Sequence, residues 1–333
     1  MKKSMLMIVW LLLVLMTLSR LDGAMLLYSM NQIPWWVILF LFALQMVTQL
    51  LLNWQWYIVA KTAHLSITFW EMFHANCQGA VMDAVTPGVK LGGEVTRAMQ
   101  ISRTTSCSAT QSATVVALQK VFSIGVLSLI LLFSSGYLIG EVSWLSPIYI
   151  QVLIFSMLTL FLTLFLGIFF FPQPLKGWVQ GVNLRFLWLN RVQNFLVVLL
   201  ELVNDIRQKK KTCMMLICLS FWIWLLYPIK MYVLVQQFQS EIGVIHLVAI
   251  TFVAYLVAML PIFPGGLGGF EGTMSGLLVA TGFLVSDAAI ITVFFRFITF
   301  WLVMLFSFCF VAFHRIIDGR HILKLKGERV RNK

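Results

Sequence analysis

The chain has 333 residues, a formal net charge of +12 at pH 7 and a mean hydropathy of +0.93. It is 60% hydrophobic and only 11% charged, against about 45–50% and about 25% in a soluble domain, which excludes an ordinary water-soluble fold. Its basic residues concentrate in loops and the tail rather than in an aromatic-interleaved patch, so the charge reads as the positive-inside rule and not as a nucleic-acid surface.

In chain order, the first apolar block spans residues 5–28 behind Lys2 and Lys3. It resembles a signal peptide, but Leu18-Ser19-Arg20-Leu21-Asp22 is a poor small-residue cleavage site, so an uncleaved span is expected. A second block, 34–60, opens on Trp35-Trp36, an interface anchor. Further blocks follow at 109–138, 147–171, 213–238 and 287–313. Each is long enough to cross about 30 Å of hydrocarbon. The fold class is therefore an all-α polytopic membrane protein with about six full transmembrane helices in a single domain, 1–333.

Lysine and arginine orient it. Lys2-Lys3, a basic loop at 172–211 and the tail at 314–333 are the basic segments and are expected in the cytoplasm, with both termini, at the cell membrane. Within the basic loop, 187–211 is read either as an interfacial helix on the cytoplasmic leaflet or as an ordinary loop. Lys230, in "YPIKMY", is expected to snorkel toward the outer interface.

Two segments do not fit simple spans. Residues 66–103 carry Glu71, His74, Asn76, Gln78 and Asp83 ahead of "PGVKLGGEVTR". Residues 242–285 are apolar but broken at "PIFPGGLGGFEG". Proline and glycine at that density disfavour a continuous helix, and backbone broken at membrane depth must be satisfied by protein or water. Both are expected to form re-entrant helical hairpins, entering from opposite sides. The breaks also resemble each other: Pro87, Gly88, Gly92, Gly93 and Glu94 find counterparts in Pro264, Gly265, Gly266, Gly268, Gly269 and Glu271, with Pro261 an additional breaker. That is the trace of inverted repeats with a substrate site between discontinuous helices. The competing reading is chance convergence of glycine-rich turns.

A helix opening after each break directs free N–H groups and a positive dipole end at an anion. Lys90, Glu94, Arg97, Lys120, Glu271 and Arg296 are the candidate substrate-binding residues. Glu94 and Arg97 share a helical face. Arg296, within "VFFRFITFW", must face the bundle interior, because a charge at depth costs roughly 2.5–3.5 kcal/mol or more. Glu271 is its expected partner. Four cations with two obvious carboxylates favour an anionic head-group site; the alternative is a set of buried pairs that hold the bundle together. His64 and His74 read as interfacial or packed groups, and the five cysteines show no disulfide or metal spacing. No nucleotide loop, zinc motif or nucleophile elbow appears, so no metal, cofactor or catalytic residue is expected.

"PGVKLGGEVTRAMQISR" and "PIFPGGLGGFEG", followed by an intramembrane arginine, resemble the lysylphosphatidylglycerol synthase transmembrane region, a flippase-like domain. The resemblance covers essentially the whole chain. It matches Pro87, Gly88, Lys90, Gly92, Glu94 and Arg97 to the first motif, Pro261, Pro264, Gly265, Gly266, Gly268 and Glu271 to the second, and Arg296 to the later arginine. Where the family often has Glu-Arg, this chain has Gln119-Lys120. The resemblance implies an anionic lipid as ligand, either a phospholipid such as phosphatidylglycerol or its aminoacyl derivative, or a polyprenyl-phosphate-linked substrate. It implies movement of that lipid between leaflets, with a proton or another ion as the coupling partner. The cytosolic synthase domain is expected to be missing. The alternatives are a lipid-binding scaffold for a lipid- or glycan-modifying enzyme and an intramembrane transferase.

Overall fold

The structure, a computed structural model, describes residues 28, 30–86, 91–141, 148–182, 187–238, 242–259, 266, 268–314 and 316. The expected first span at 5–28 therefore lies almost wholly outside the described residues. Among those described, every regular element is helical.

The first helix, α1 (Trp35–Thr62), follows Pro34, whose extended backbone serves as its N-cap. It stops where His64 turns into the left-handed region at φ 59°. Thr68 then starts α2 (Phe69–Val85) with a capping box. The Thr68 hydroxyl accepts from the Glu71 N–H at 3.3 Å, and the Glu71 carboxylate accepts from the Thr68 N–H at 2.7 Å, which satisfies two otherwise orphaned donors. The chain breaks after Thr86 and resumes as α3 (Leu91–Thr105).

Next come α4 (Ala109–Glu141) and α5 (Ile148–Phe170). The chain then turns sharply, by 93°, into α6 (Pro172–Gly181), with proline at the start of the new helix. Helix α7 (Leu187–Gln208) packs against α6. Lys176 pairs with Glu201 at 2.7 Å, and Arg207 donates to the Phe170 carbonyl at 2.6 Å. Much of the expected basic loop 172–211 is thus helical. Its apolar positions Leu199, Leu200, Val203 and Ile206 are buried on one side of α7, and that burial is what selects helix over loop.

The rest of the chain comprises α8 (Lys210–Val235), α9 (Val244–Met259), α10 (Gly269–Ala280) and α11 (Val285–His314). The last contains a π turn at Phe297–Trp301. Among the described residues, four helices are long and apolar enough to cross a membrane: Trp35–Thr62, Ala109–Ser134, Lys210–Phe238 and Val285–His314. The bent pair α5–α6 adds a fifth if it is counted as one span.

Two large apolar cores organise these helices, beside a small third cluster of Leu127 and Leu131 of α4 with Phe252 of α9. One joins Met72 of α2, Ile101 of α3, Leu118 and Phe122 of α4, and Val203 of α7. The other joins Ile250 of α9, Phe270 and Met274 of α10, and Ile291 and Phe295 of α11. Helices α1 and α8 run through both, α1 with Val37 and Leu41 in one core and Val59 in the other. Their shared seam is polar. Lys230 of α8 meets Gln45 of α1, and Ser220 of α8 accepts from Gln55 of α1 at 2.5 Å. Ten residues forward on α1 match ten residues back on α8, the register of two antiparallel helices. Gln119 of α4 joins by donating to Gln55 at 3.0 Å.

Candidate functional site

Each core holds one helix–break–helix unit. Helices α2 and α3 pack on each other across the first break, and α9 and α10 do so across the second. Pro87, Gly88 and Lys90 of the first break, and Pro261, Pro264 and Gly265 of the second, lie outside the described residues.

Gly92 and Gly93, expected within the first break, sit instead in the first turn of α3. They are glycine for a reason of space. A Cβ on Gly92 would strike the Thr86 side chain, and a Cβ on Gly93 would strike the Asp83 carboxylate. Gly79 of α2 belongs with them, since a Cβ there would come within 2.6 Å of Arg97 Nε. Small residues thus let α2 and α3 close around a charged cluster. The second break does need unusual backbone: Gly266 and Gly268 take φ +72° and +85°, a region that side chains other than glycine rarely enter. Gly269 opens α10.

The first cluster contains Asp83, Glu94, Arg97 and Lys120. Arg97 reaches Asp83 at 3.0 Å and Glu94 at 3.1 Å, one guanidinium nitrogen to each. Lys120 of α4 closes on the same Glu94 oxygen at 2.6 Å. The Arg97 guanidinium also lies 5.7 Å from the Trp56 ring of α1. Arg97 and Asp83 are 8% exposed, whereas the Lys120 side chain is 37% exposed. The cluster is therefore closed at the arginine and open at the lysine.

The second cluster is smaller. Glu271 accepts the Gly268 N–H at 2.7 Å and faces Arg296 of α11 at 3.3 Å. Only the carboxylate half of a capping box is possible there, because Gly268 has no side chain. Arg296 is 5% exposed and lies between two rings, its guanidinium carbon 4.7 Å from Phe270 and 4.3 Å from Phe300. The Glu271 side chain is 28% exposed.

The sequence motifs anticipated part of this arrangement. Glu94 does pair with Arg97, and Glu271 does face Arg296. Among the described residues, which do not include Lys90, the expected shortage of carboxylates is not found, because Asp83 joins the cluster. Arg97, Lys120 and Arg296 share Asp83, Glu94 and Glu271, so the two clusters balance. Asp83 and Arg97 are separated by the break, and no local periodicity links them. Lys230 is a second correction. It does not reach an interface: it is 1% exposed, bound by Gln45 and by Thr48 at 3.1 Å, and 4.4 Å from the Tyr227 ring. The α1 seam covers the face on which it lies, so its stem has no open path to water. His74 stacks on His314, with ring centroids 4.4 Å apart, while His64 occupies the turn after α1.

The clusters also match in spacing. Glu94 and Lys120 are 26 residues apart, and Glu271 and Arg296 are 25 apart. Lys120 and Arg296 each lie eleven residues beyond the first residue of their helices, Ala109 and Val285. A break, a helix opening near a glutamate, and a following helix that returns a cation to that glutamate therefore occur twice.

Residues 4–307 match the family described as the lysylphosphatidylglycerol synthase TM region. A UPF0104 membrane protein of Methanothermobacter thermautotrophicus is 25% identical over 270 residues, 78% of this chain and 80% of that protein. A UPF0104 membrane protein of Pyrococcus horikoshii is 24% identical over 265 residues, 74% of this chain and 78% of its own length.

Proposed function

The chain belongs to the lysylphosphatidylglycerol synthase TM region family, and on that premise we propose that this multi-pass membrane protein moves an anionic lipid between leaflets. The observation that carries the reading is the pair of ionic clusters, each placed where a helix resumes after a break, each buried at one end and open at the other. The α2–α3 and α9–α10 units are read as re-entrant hairpins from opposite faces of the cell membrane, related as inverted repeats. The basic α6–α7 region, with Lys176, Arg191 and Arg207, is read as cytoplasmic.

The chemistry is exchange. Every cation of the clusters already has a carboxylate, so a head-group phosphate enters by replacing one. Lys120 is the accessible point of entry, and Arg97 and Arg296 are the forks suited to two phosphate oxygens. Glu94 and Glu271 hold those cations in place while the site is empty, which keeps an unpaired charge out of the bundle interior. In this reading the protein transports lipid and makes no covalent change to it.

Two measurements test the proposal. Lipid mass spectrometry of the purified protein identifies the ligand and should return a lipid with an anionic head group. Proteoliposomes of phosphatidylcholine and phosphatidylglycerol carrying a fluorescent phosphatidylglycerol should show leaflet exchange, reduced by Arg97→Gln and by Arg296→Gln in protein that is still folded. Wild-type protein that moves neither this lipid nor the co-purified one, with or without a proton gradient, would rule the transport reading out.

A further inference from the structure

Lys230 is the buried cation that the two clusters leave out. Its contacts among the described residues are two neutral acceptors on α1, Gln45 and Thr48, and the Tyr227 ring of its own helix. Gln45 is fully buried, and its Nε2 has no hydrogen-bond partner among the described residues. Among the described residues the pocket thus offers a positive charge and spare donors, but no carboxylate. An arginine in this position would be held permanently charged. A lysine has a second form, because the amine becomes neutral on losing one proton, and a neutral amine is far less costly to keep from water than an ammonium.

Two helices near it carry irregular turns. Pro228, two residues before Lys230, lies inside α8. It supplies no N–H to the Trp224 carbonyl, so the helix lacks one hydrogen bond just below Lys230, where a bend is least costly. Helix α11 widens into its π turn immediately after Arg296, a feature frequent at functional sites. Ring contacts connect the two places. Tyr227 lies 5.0 Å from Tyr255, Tyr255 lies 5.0 Å from Phe270, and Phe270 lies under Arg296.

We propose that Lys230 is a proton-carrying residue, and that its charge state biases the second cluster through Tyr227, Tyr255 and Phe270. An N–H bond of the ammonium breaks, the electron pair stays on nitrogen, and the proton passes to water admitted when α8 bends at Pro228. Uptake of a proton from water on the opposite side restores the ammonium. Among the described residues the group faces the neutral Gln45 and Thr48 from α1. The titratable group in contact with it is Tyr227 of α8; Tyr255 of α9 lies one ring further, and Arg296 of α11 with its partner Glu271 of α10 lies beyond Phe270. Lys120 of α4 is held by Glu94, and α7 packs near Cys213 and Leu216, where α8 begins. The coupling of this proton to lipid movement rests on the transport reading above; the protonation change does not.

The two parts are therefore measured separately. Solid-state NMR of the full chain with ¹⁵N-labelled lysine, in phosphatidylcholine and phosphatidylglycerol bilayers, reads the charge of each lysine directly. One lysine signal should switch between ammonium and amine as the pH of the bilayer sample is raised, and should be missing from both Lys230→Met and Lys230→Arg. A Lys230 signal that stays ammonium throughout overturns the proposal. In proteoliposomes, a proton gradient should speed wild-type lipid exchange several-fold, and both variants should exchange lipid at one rate with or without it. A gradient response that survives in Lys230→Arg overturns the coupling. If the wild type moves no lipid, the transport reading falls, and the NMR result still decides whether Lys230 carries the proton.

Discussion

The two helix breaks solve the same electrostatic problem with different materials. In the first, Arg97 is neutralised by two carboxylates, Asp83 across the break and Glu94 one turn away, and Lys120 completes the balance. In the second, Arg296 pairs with Glu271 and lies against two aromatic faces, Phe270 and Phe300. The first relies on ions and needs glycines for room; the second relies on π faces and needs glycines for turns. Arg97 should therefore be intolerant of any change in charge, and Arg296 intolerant of any change in shape.

The largest effect is expected at Arg97. Removing one partner of a buried ion pair leaves the other uncompensated, at about 3–5 kcal/mol. Arg97→Ala removes the ion pair of Asp83, which is 8% exposed, and one of the two ion pairs of Glu94. Thermal unfolding in detergent should show the loss. Adding Asp83→Asn to Arg97→Gln should recover part of it, since the double variant removes both charges of one pair. If the double variant is as unstable as the sum of the singles, the two charges are not coupled.

Next in size are the glycines that make room for the first cluster. Gly79→Ala forces a methyl into the Arg97 side chain, and Gly93→Ala forces one into the Asp83 carboxylate. Overpacking of this kind costs about 1–3 kcal/mol. Gly272 and Gly276 of α10 have open space where a Cβ would be placed, so alanine there should be neutral or stabilising by up to about 1 kcal/mol. Equal effects at the four positions would contradict the contrast between the two units.

Arg296→Lys comes third. The charge is kept, but the planar contact with Phe270 and Phe300 is lost, which is worth about 1–2 kcal/mol at a desolvated site. Unfolding temperature should fall, and adding Phe300→Leu should lower it by less than it lowers the wild type, because the stacking is already gone.

How much of this could be read in advance depended on distance along the chain. The Glu94–Arg97 pair is three residues apart, so helix geometry alone presents it. Arg296 was legible because a charge inside "VFFRFITFW" must turn inward. The long apolar helices were legible from length and hydropathy, with 34–60 expected and Trp35–Thr62 found. Asp83, Gly79 and Lys230 were not legible, for one shared reason: each takes its role from a neighbour on another helix. A snorkelling lysine and a buried one have the same local sequence, and they differ only in what covers them, which here is Gln45 and Thr48 of α1. The likeness of the two glycine-rich breaks was visible in the sequence, but the matching return of a cation from the next helix needed the ion pairs.

The smallest effect on stability is expected at Lys120, and it separates the two roles of the first cluster most directly. Its side chain is 37% exposed, so its pair with Glu94 is solvent-screened and should contribute under about 1 kcal/mol. Glu94 keeps Arg97 as a partner when Lys120 is removed. Lys120→Met should therefore unfold within a degree or two of the wild type, a shift of the size that about 0.5 kcal/mol produces. If the cluster serves only to hold helices together, lipid exchange should be equally unaffected. If Lys120 is where the head group enters, exchange should fall sharply in a protein of unchanged stability. Lys120→Arg should restore exchange, because it returns a cation to the open end of the cluster.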